Sequence, residues 1–295
     1  MNEKIKVINI NDKNYPKLLR EIKNPPKVLY FQGEVLPDEN CFAIVGTRMC
    51  SAYGKETALE IAGDLAEAGL TTVSGLAPGI DTSVHLATVE RNKRTIAVLG
   101  TGIDEESIYP KENLKLAKRI LETGGCLISE YPSGTPGSKF TFPQRNRIIS
   151  GLSLGILVIE AKQKSGALIT AEWAKKQNRP VFALPGPIHS LNSKGPHCLI
   201  KNGAKLVENA NDILSNLNLN LLIYEINRVV TGENKEEDLI LRALNEEALD
   251  IDRIIEKTQL PAAKTASTLA ILEIKGKVRN LRENIYAISH RRKPC

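Results

Sequence analysis

The sequence predicts an α/β protein in which a mostly parallel, doubly wound sheet carries helices on both faces. Short, nearly continuous apolar runs alternate with stretches of helical periodicity, which is typical of parallel strands buried on both sides. A Gly-rich or polar loop follows most of these runs, and in an open sheet of this kind such loops lie along the carboxyl edge. The runs expected to form strands are 41–45, 70–74, 95–99, 126–129, 155–160, 180–184 and 204–207.

The chain divides into four segments. Residues 1–40 form an N-terminal segment with the stiff stretch NPPKVLYFQG, and residues 41–217 hold the alternating strands and helices of a Rossmann-like domain. Residues 218–234 are predicted to be a linker, and residues 235–295 a small second domain. Between strands, the stretch 54–69 shows clear helical spacing. Its apolar face is formed by Ala58, Ile61, Ala62, Leu65 and Ala66.

The second domain is predicted to be winged-helix-like. Three short helical stretches span 236–245, 250–259 and 261–276, and two strands, 278–281 and 285–289, form a wing around residues 282–284. The third helix of such a domain can enter a major groove. Here that helix is rich in alanine and leucine, and only Lys264, Thr265 and Ser267 near its start are suited to polar contacts. Sequence-independent DNA contact or a protein–protein role is therefore favoured over operator recognition.

Composition excludes several classes of protein. The chain has 295 residues, of which 42% are hydrophobic and 25% charged, as in a soluble globular protein. No apolar run is long enough to span a bilayer, and the polar start lacks the apolar core of a signal peptide. The five cysteines are scattered without a CxxC pair, so neither a zinc cage nor a disulfide framework is indicated and a cytoplasmic location is expected.

Charge is concentrated at the C-terminus. The net charge is +6, and the stretch 257–295 carries nine basic and two acidic residues, which is 9 − 2 = +7. The first 256 residues therefore carry 6 − 7 = −1. A nearly neutral body with a basic tail is the electrostatic pattern of a protein that binds a polyanion. By itself, the run slightly favours a solvated lysine-rich surface over a polyanion site.

Three of the predicted loops favour an anion site. Glycine lets the backbone approach a ligand closely, and N–H groups at a helix start attract negative charge. Arg48 adds a guanidinium suited to phosphate, and Thr170 lies in the first turn of a following helix. One such turn is ordinary loop geometry, but several on one edge make an anion site the favoured interpretation. The candidate residues in these loops are Gly46, Thr47, Arg48, Ser74, Gly75, Gly79, Lys164, Ser165, Gly166 and Thr170.

The segment 138–149, SKFTFPQRNRII, combines basic and aromatic residues without an acid. Such a mixture can hold phosphates and stack bases, at about 1–3 kcal/mol per stacked base. The alternative is that the phenylalanines are core residues and the arginines structural ion-pair partners. We expect Phe140 rather than Phe142 to be exposed, because it follows Lys139 and a Gly-rich loop. The candidate DNA-binding residues of this segment are Lys139, Phe140, Arg145, Asn146 and Arg147.

The sequence lacks common enzymatic signatures. No GxGxxG follows the first predicted strand, and GxxxxGK[ST], GxSxG and HExxH are absent, so neither a cofactor nor a metal is expected. Asp81 and His85 are four residues apart at a helix start and form an acid/base pair or, in the favoured interpretation, a structural hydrogen-bond network. Glu130 and Glu160 end strands, and we expect them to anchor arginines rather than to act as catalytic carboxylates.

These motifs together resemble the DNA processing protein A family, also called DprA or Smf. The resemblance covers most of residues 40–215 in the expected order, and the C-terminal segment looks like the family's winged-helix-like domain. The matching stretches are AIVGTR (43–48), GLAPGIDTSVH (75–85), TIAVLGTGID (95–104), ISEYPSG (128–134), FPQRNRIISGLS (142–153), EAKQKSGALITAEWA (160–174) and LPGPI (184–188).

The resemblance implies an extended Rossmann fold that forms homodimers, binds and protects single-stranded DNA, and helps to load the RecA recombinase during natural transformation. Family members are not regarded as enzymes. Phosphate-contacting roles would fall on Arg48, on Lys139 with Phe140, and on the turn Ser165–Gly166. One departure is Ala167, which stands where a serine is common. The other is the lack of an extra N-terminal helical domain that some members carry.

Two other functions stay open from the residues alone. A nucleoside-monophosphate phosphoribohydrolase would use a related sheet, although it is expected to carry a PGGxGT-type loop where this chain has KQKSGALIT. A winged-helix transcription regulator would bind duplex DNA through residues 235–295. The C-terminal domain is for the same reason a candidate for duplex contact in a single-strand-binding protein.

Overall fold

The computed structural model describes residues 4–217, 232–245, 247–282 and 284–288. It confirms the predicted α/β class with a small C-terminal domain, and it divides the chain into two compact units, Met1–Tyr224 and Glu225–Cys295. Of the predicted linker, residues 218–231 lie outside the described part, as do the last residues of the basic tail, 289–295. Within the described ranges, no helix has both the length and the apolar character needed to cross a bilayer.

The larger unit is built on a nine-stranded sheet with the order β1-β2-β6-β5-β4-β3-β7-β8-β9. The seven predicted runs all form strands, and these seven are parallel to one another. The strands are β1 Lys6–Asn9, β2 Val28–Gly33, β3 Cys41–Val45, β4 Thr71–Ser74, β5 Thr95–Leu99, β6 Cys126–Ser129, β7 Ile156–Val158, β8 Val181–Ala183 and β9 Lys205–Leu206.

Helices connect the parallel strands. The predicted apolar face of α2 is buried, and the helix starts before Gly54 because the Ser51 hydroxyl accepts a hydrogen bond from the Gly54 N–H at 3.0 Å. The helices are α1 Lys17–Arg20, α2 Ala52–Glu67, α3 Ile80–Glu90, α4 Leu114–Glu122, α5 Thr141–Gly151, α6 Gly166–Lys176, α7 Lys194–Lys201 and α8 Ala210–Asn216.

The N-terminal segment is part of the same sheet. Residues 1–40 were predicted to be a separate segment without strands. In the structure, β1 pairs antiparallel with β2, and β2 pairs antiparallel with β6. Tyr15, Leu19 and Leu29 from this segment are fully buried in the core cluster that also contains β3 and β7 residues. The segment therefore extends the sheet and covers its core.

The topological switch point lies between β3 and β7. From β3 the chain moves to β4 on one side, and from β7 it moves to β8 on the other, although β3 and β7 are themselves hydrogen-bonded neighbours. In open α/β sheets, the loops at such a point diverge and leave a crevice outside the carboxyl ends of the strands. The loops after β3 (46–51) and after β7 (159–165) flank this crevice.

The smaller unit has three helices and a three-stranded sheet. The three predicted helices and the wing are confirmed, and a further strand, β10, pairs with β12 in the order β10-β12-β11. Its elements are α9 Lys235–Ala243, β10 Leu249–Asp250, α10 Ile251–Thr258, α11 Ala262–Ile274, β11 Val278–Arg282 and β12 Ile285–Ile288. Its own apolar core includes Ile240, Leu244, Ile254, Leu269 and Leu272, so the unit packs around a separate centre.

Candidate nucleic-acid-binding site

The loop after β3 is held between two other elements. The Thr47 N–H donates to the Glu160 carbonyl at 2.7 Å, and the Thr47 carbonyl accepts from the Ile80 N–H at 3.2 Å. At Gly46 a Cβ would lie 2.5 Å from the Ile80 side chain, so glycine is needed for this close approach. Thr47 itself is buried, and Arg48 is exposed. The anchored loop thus presents the arginine at the carboxyl edge of the sheet.

Gly79 packs closely against this loop. Its φ of +82° lies in the region that favours glycine. A Cβ there would lie 2.7 Å from the Arg48 carbonyl oxygen and still closer to that of Thr47. Glycine at position 79 therefore allows the loop after β3 to pack against the start of α3, and its role as a direct ligand contact stays a prediction.

An aromatic ring connects Arg48 to the segment before α5. The guanidinium of Arg48 lies 5.5 Å from the centre of the Phe142 ring, and this ring lies 6.0 Å from that of Tyr109. A Cβ on Gly137 would lie 2.6 Å from the Phe142 ring, which shows how tightly the ring is packed. Phe142 is therefore a structural residue that places the start of α5 beside Arg48.

Phe140, by contrast, is 67% exposed, as the sequence predicts. The ammonium of Lys139 lies 5.2 Å from the centre of its ring, and Lys139 is itself exposed. Both residues precede α5, so no helical face directs them into the core. A solvent-facing aromatic ring with an adjacent cation offers one stacking face and one phosphate contact.

Arg145 was predicted to contact DNA, and the structure corrects this prediction. Its side chain is buried, with 5% exposure, and its guanidinium donates to the Gly75 carbonyl at 2.8 Å, to the Val98 carbonyl and to Asn146 Oδ1 at 3.2 Å. Burial lowers the pKa of Arg145 to about 10, and the opposing charge of Asp81 limits that decrease. The guanidinium joins the ends of β4 and β5 and is not free to contact phosphate.

Asn146 and Arg147 are also structural. The Asn146 amide donates to the Gly166 carbonyl at 3.2 Å, which ties α5 to the start of α6. Arg147 forms an ion pair with Glu130 at 2.6 Å, as expected of that carboxylate. Neither residue is an open contact for DNA, because each already has a partner in the fold.

Three further predicted contacts are buried. The Ser74 hydroxyl donates to the Ile44 carbonyl at 2.7 Å, and the Gly75 N–H donates to Asp81 Oδ2 at 3.1 Å. The Thr170 hydroxyl lies 3.5 Å from the Gly166 carbonyl, and Thr170 is only 1% exposed. These residues are buried at the strand ends and form hydrogen bonds within the fold. The prediction that they contact a ligand is therefore corrected.

Asp81 and His85 have the structural role that the sequence analysis favours. Both are buried, and His85 Nδ1 lies 2.9 Å from the Thr95 hydroxyl, whereas Asp81 accepts from the Gly75 and Ala77 N–H groups. Burial, aided by the charge of Arg145, lowers the pKa of His85 to about 3, so the ring is neutral at physiological pH.

The loop after β7 provides the other wall of the crevice. The Ser165 hydroxyl accepts from the Ala167 N–H at 3.3 Å and thereby caps α6. Lys164 and Gly166 are exposed, and no atom lies within 4 Å of a Cβ built on Gly166. The exposed backbone at this helix start and the lysine beside it form a positive end suited to an anion.

Glu160 has a role that the sequence analysis missed. Its carboxylate accepts hydrogen bonds from the Ser51 N–H at 2.9 Å, the Ser51 hydroxyl at 2.6 Å and the Asn192 amide at 3.2 Å. Among the residues that the structure describes, no arginine donates to it. The expectation that it anchors an arginine is therefore wrong. Ser51 and Asn192 lie far from Glu160 in sequence, so no local pattern could have joined them.

The exposed predicted residues are thus connected through the fold. Phe142 places Lys139 and Phe140 near Arg48, and Asn146 fixes the same helix to the start of α6, beside Lys164. We name the set Arg48, Lys139, Phe140, Lys164 and Gly166 the cationic edge. In the part of the chain that the structure describes, no group of three His, Cys, Asp or Glu residues could hold a metal ion.

Comparison with known proteins gives consistent matches. A sequence model described as DNA recombination-mediator protein A matches residues 6–218, and one described as DprA winged helix domain matches residues 230–284. Protein Smf of Escherichia coli K12 is 39% identical over 270 residues, which cover 89% of this chain and 72% of that protein.

Two solved structures are similar over the larger unit. The X-ray structure of DNA processing protein A from Streptococcus pneumoniae has a TM-score of 0.67 at 43% identity and covers 72% of this chain and 74% of that one. DNA processing protein A from Helicobacter pylori, whose structure is described for its single-stranded DNA binding mode, has a TM-score of 0.65 at 30% identity. That match covers 73% of this chain and 96% of that one.

Proposed function

Because the chain belongs to the DNA recombination-mediator protein A family, the DprA and Smf proteins, we propose that it binds single-stranded DNA along the cationic edge. In this role it protects incoming DNA and helps to load the RecA recombinase in natural transformation and homologous recombination. The observation that carries the proposal is the exposed pair Lys139–Phe140, which Phe142 holds beside the exposed Arg48.

The proposed interaction is sequence-independent. Arg48, Lys139 and Lys164 supply charge for phosphates, and Phe140 supplies a ring that can stack any base. The proposed interaction is binding without catalysis, and the candidate acid/base pair Asp81 and His85 is buried away from the cationic edge. The relative from Helicobacter pylori, described with a single-stranded DNA binding mode, supports the same class of ligand for this chain.

The test is a titration of fluorescent poly-dT oligonucleotides followed by anisotropy at several salt concentrations. The logarithm of affinity falls with that of salt by about 0.7 per phosphate contact on a single strand, so Lys139→Ala should make the slope shallower by about that amount. Phe140→Ala should cost about 1–3 kcal/mol at every salt concentration, because stacking is not ionic.

Lys93→Ala is the matched control. Lys93 is exposed and precedes β5, so it lies at the opposite edge of the sheet. It should bind like the parent. If Arg48→Ala and Lys139→Ala also bound poly-dT like the parent at all salt concentrations, the cationic edge would not be the binding site.

The family of this chain also suggests its partners and its location in the cell. We propose a cytoplasmic homodimer that contacts RecA, to be tested by sedimentation equilibrium and by RecA filament assembly on coated single strands. None of the four cysteines that the structure describes is assigned to a disulfide, as is usual in a reducing compartment.

For the C-terminal domain we propose sequence-independent duplex contact or a protein–protein role. The early α11 cation, Lys264, lies 3.5 Å from Glu236, and Ile271 and Ile274 on the same helix are exposed. Deleting residues 235–295 should leave poly-dT affinity largely intact if this domain serves a separate role.

The family match does not favour the two alternative functions. Incubation with AMP should release no adenine, which tests the phosphoribohydrolase alternative. A preference for duplex DNA that survives deletion of residues 41–217 would instead favour the transcription regulator.

A further inference from the structure

We propose that a cavity away from the cationic edge binds a nucleobase that carries a phosphate. The cavity lies between the N-terminal segment and α6, and we name it the Trp173 cavity. Its lining includes Ile22, Lys23, Asn24, Trp173, Lys176 and Gln177. Arg147 completes the lining; it was predicted to contact DNA, but it is paired with Glu130. No residue of the cationic edge lines the cavity, so the inference goes beyond the proposed function and does not depend on it.

The size of the Trp173 cavity suits a ligand of one nucleotide. Its volume is about 360 Å³. Binding pockets for small molecules usually measure about 300–1,000 Å³, so this cavity lies at the lower end of that range. It can hold a base with its sugar and phosphate but not a dinucleotide cofactor.

An aromatic wall gives the cavity its affinity for a base. Trp173 is the only tryptophan of the chain, and it is half-buried rather than packed in the core. The buried side chain of Ile22 adds an apolar surface. Bases stack favourably on aromatic side chains, and an indole offers a larger face than a phenyl ring.

Positive charge lies beside that ring. The Lys176 ammonium is 5.1 Å from the centre of the Trp173 ring, and Lys23 enters the lining from the N-terminal segment. Both lysines are exposed, neither forms an ion pair with another described residue, and no acidic residue lines the cavity. A ligand that combines an aromatic ring with an anionic group is the class that this arrangement complements.

Hydrogen bonds and an ion pair hold two of the lining residues in place before a ligand binds. The Gln177 amide donates to the Arg147 carbonyl at 3.0 Å, and Arg147, which also lines the cavity, is held by Glu130 at 2.6 Å. Since Glu130 already neutralises Arg147, the free charge comes from the two lysines. A preformed cavity lowers the entropic cost of binding a small ligand.

The position of the cavity allows two sources for the ligand. Gly166, in the cationic edge, starts α6, and Trp173 follows seven residues later, about 10 Å along the helix and almost two full turns on. Trp173 therefore lies close to the same helical face as Gly166. The nucleotide is either free in solution or part of a strand that leaves the cationic edge along α6.

The single tryptophan makes the test direct, because tryptophan emission, excited where tyrosine does not absorb, reports on this cavity alone. We expect dAMP to quench the emission saturably, deoxyadenosine to do so more weakly, and inorganic phosphate to compete with dAMP without quenching. Lys176→Ala should weaken dAMP binding about tenfold, as loss of a charge-assisted contact worth about 1.4 kcal/mol would. Lys93→Ala should match the parent.

A second arm identifies the source. The variant Lys23→Ala/Lys176→Ala, which leaves the core intact, is compared with the parent on dA oligonucleotides of 5 and 20 residues by anisotropy. A loss of affinity for the longer strand only assigns the cavity to a bound strand. Quenching by dAMP without any change on oligonucleotides assigns it to a free nucleotide.

Other outcomes overturn the proposal or separate it from the proposed function. No quenching by millimolar dAMP, together with unchanged affinity of the double variant for both strands, would show that the cavity binds no nucleotide. Quenching by inorganic phosphate as strong as that by dAMP would exclude recognition of the base. If dAMP binds while the parent fails to bind any oligonucleotide, the cavity stands and the proposed DNA-binding function falls.

Discussion

Arg145→Ala tests whether this arginine belongs to the fold or to the DNA-binding surface. Its guanidinium is buried and donates to the Gly75 and Val98 carbonyls, which end the neighbouring strands β4 and β5. It also lies close enough to Asp81 to influence the pKa of that carboxyl. Removal of the side chain leaves the two carbonyls and the carboxylate without their cationic partner.

The expected cost follows from those contacts. A hydrogen bond to a charged group contributes about 1.5–3 kcal/mol, and breaking a buried charge pair by removing one partner costs about 3–5 kcal/mol. Because the contacts form one network, the values do not add, and we expect a loss of about 3–5 kcal/mol in the free energy of unfolding. That is a large part of the roughly 5–15 kcal/mol that is typical of a folded domain.

Arg48→Ala provides the opposite case. The Arg48 side chain is exposed and contacts the Phe142 ring at 5.5 Å. An exposed cation–π contact is worth about 0.5–1 kcal/mol, so this variant should remain nearly as stable as the parent. Its DNA affinity should fall, because the phosphate contact is lost.

Urea unfolding by circular dichroism, combined with anisotropy titrations of poly-dT, separates the two residues. Arg145→Ala should lower stability strongly and leave the salt dependence of DNA binding by the folded protein unchanged. Arg145→Lys, which keeps the charge but not the fork, should fall between parent and alanine variant if the latter does not fold. An Arg145→Ala protein within about 0.5 kcal/mol of the parent, with weakened DNA binding, would refute the structural role.

Three further changes test the strand ends. The pKa of His85 is about 3 in the folded protein and about 6.5 in the unfolded chain, so between pH 7 and pH 5 only the unfolded chain binds the proton. His85 should therefore account for about 2 kcal/mol of stability lost between pH 7 and pH 5, measured by urea unfolding. The variant His85→Gln should lose less stability over the same pH range. Ser51→Ala should cost about 1–2 kcal/mol in the same assay, since it removes the α2 cap and the hydroxyl partner of Glu160, and an unchanged midpoint would contradict this. Gly79→Ala should destabilise the protein and weaken poly-dT binding more than Gly69→Ala, because both have positive φ but only Gly79 has a backbone in the way of a Cβ.

The strands of the sheet show which elements can be predicted from local sequence alone. Runs such as 95–99 and 126–129 are apolar throughout because both faces of a parallel strand are buried, so each could be recognised without knowing its neighbours. β2 could not. Its residues alternate irregularly between buried and half-buried, and it becomes a strand by pairing antiparallel with β6, almost a hundred residues away.

The segment 139–147 shows the same limit within the site. Lys139 and Arg145 are both basic and lie within one short stretch, yet the first is exposed and the second is buried. Lys139 precedes α5, whereas Arg145 lies on the helix face that meets the ends of β4 and β5. Composition marks both as candidates, and only the orientation of α5 separates them.

The order of apolar runs and Gly-rich loops was enough to establish the fold class, the seven parallel strands and the edge on which the candidate loops gather, because these depend on periodicity and on the rules of strand connection. Tertiary structure alone decided which cations face solvent, that Glu160 binds Ser51 and Asn192, and that the N-terminal segment and α6 enclose the Trp173 cavity. Those features are contacts between residues far apart in sequence, and burial or exposure of a polar side chain is set by the partners that such contacts bring to it.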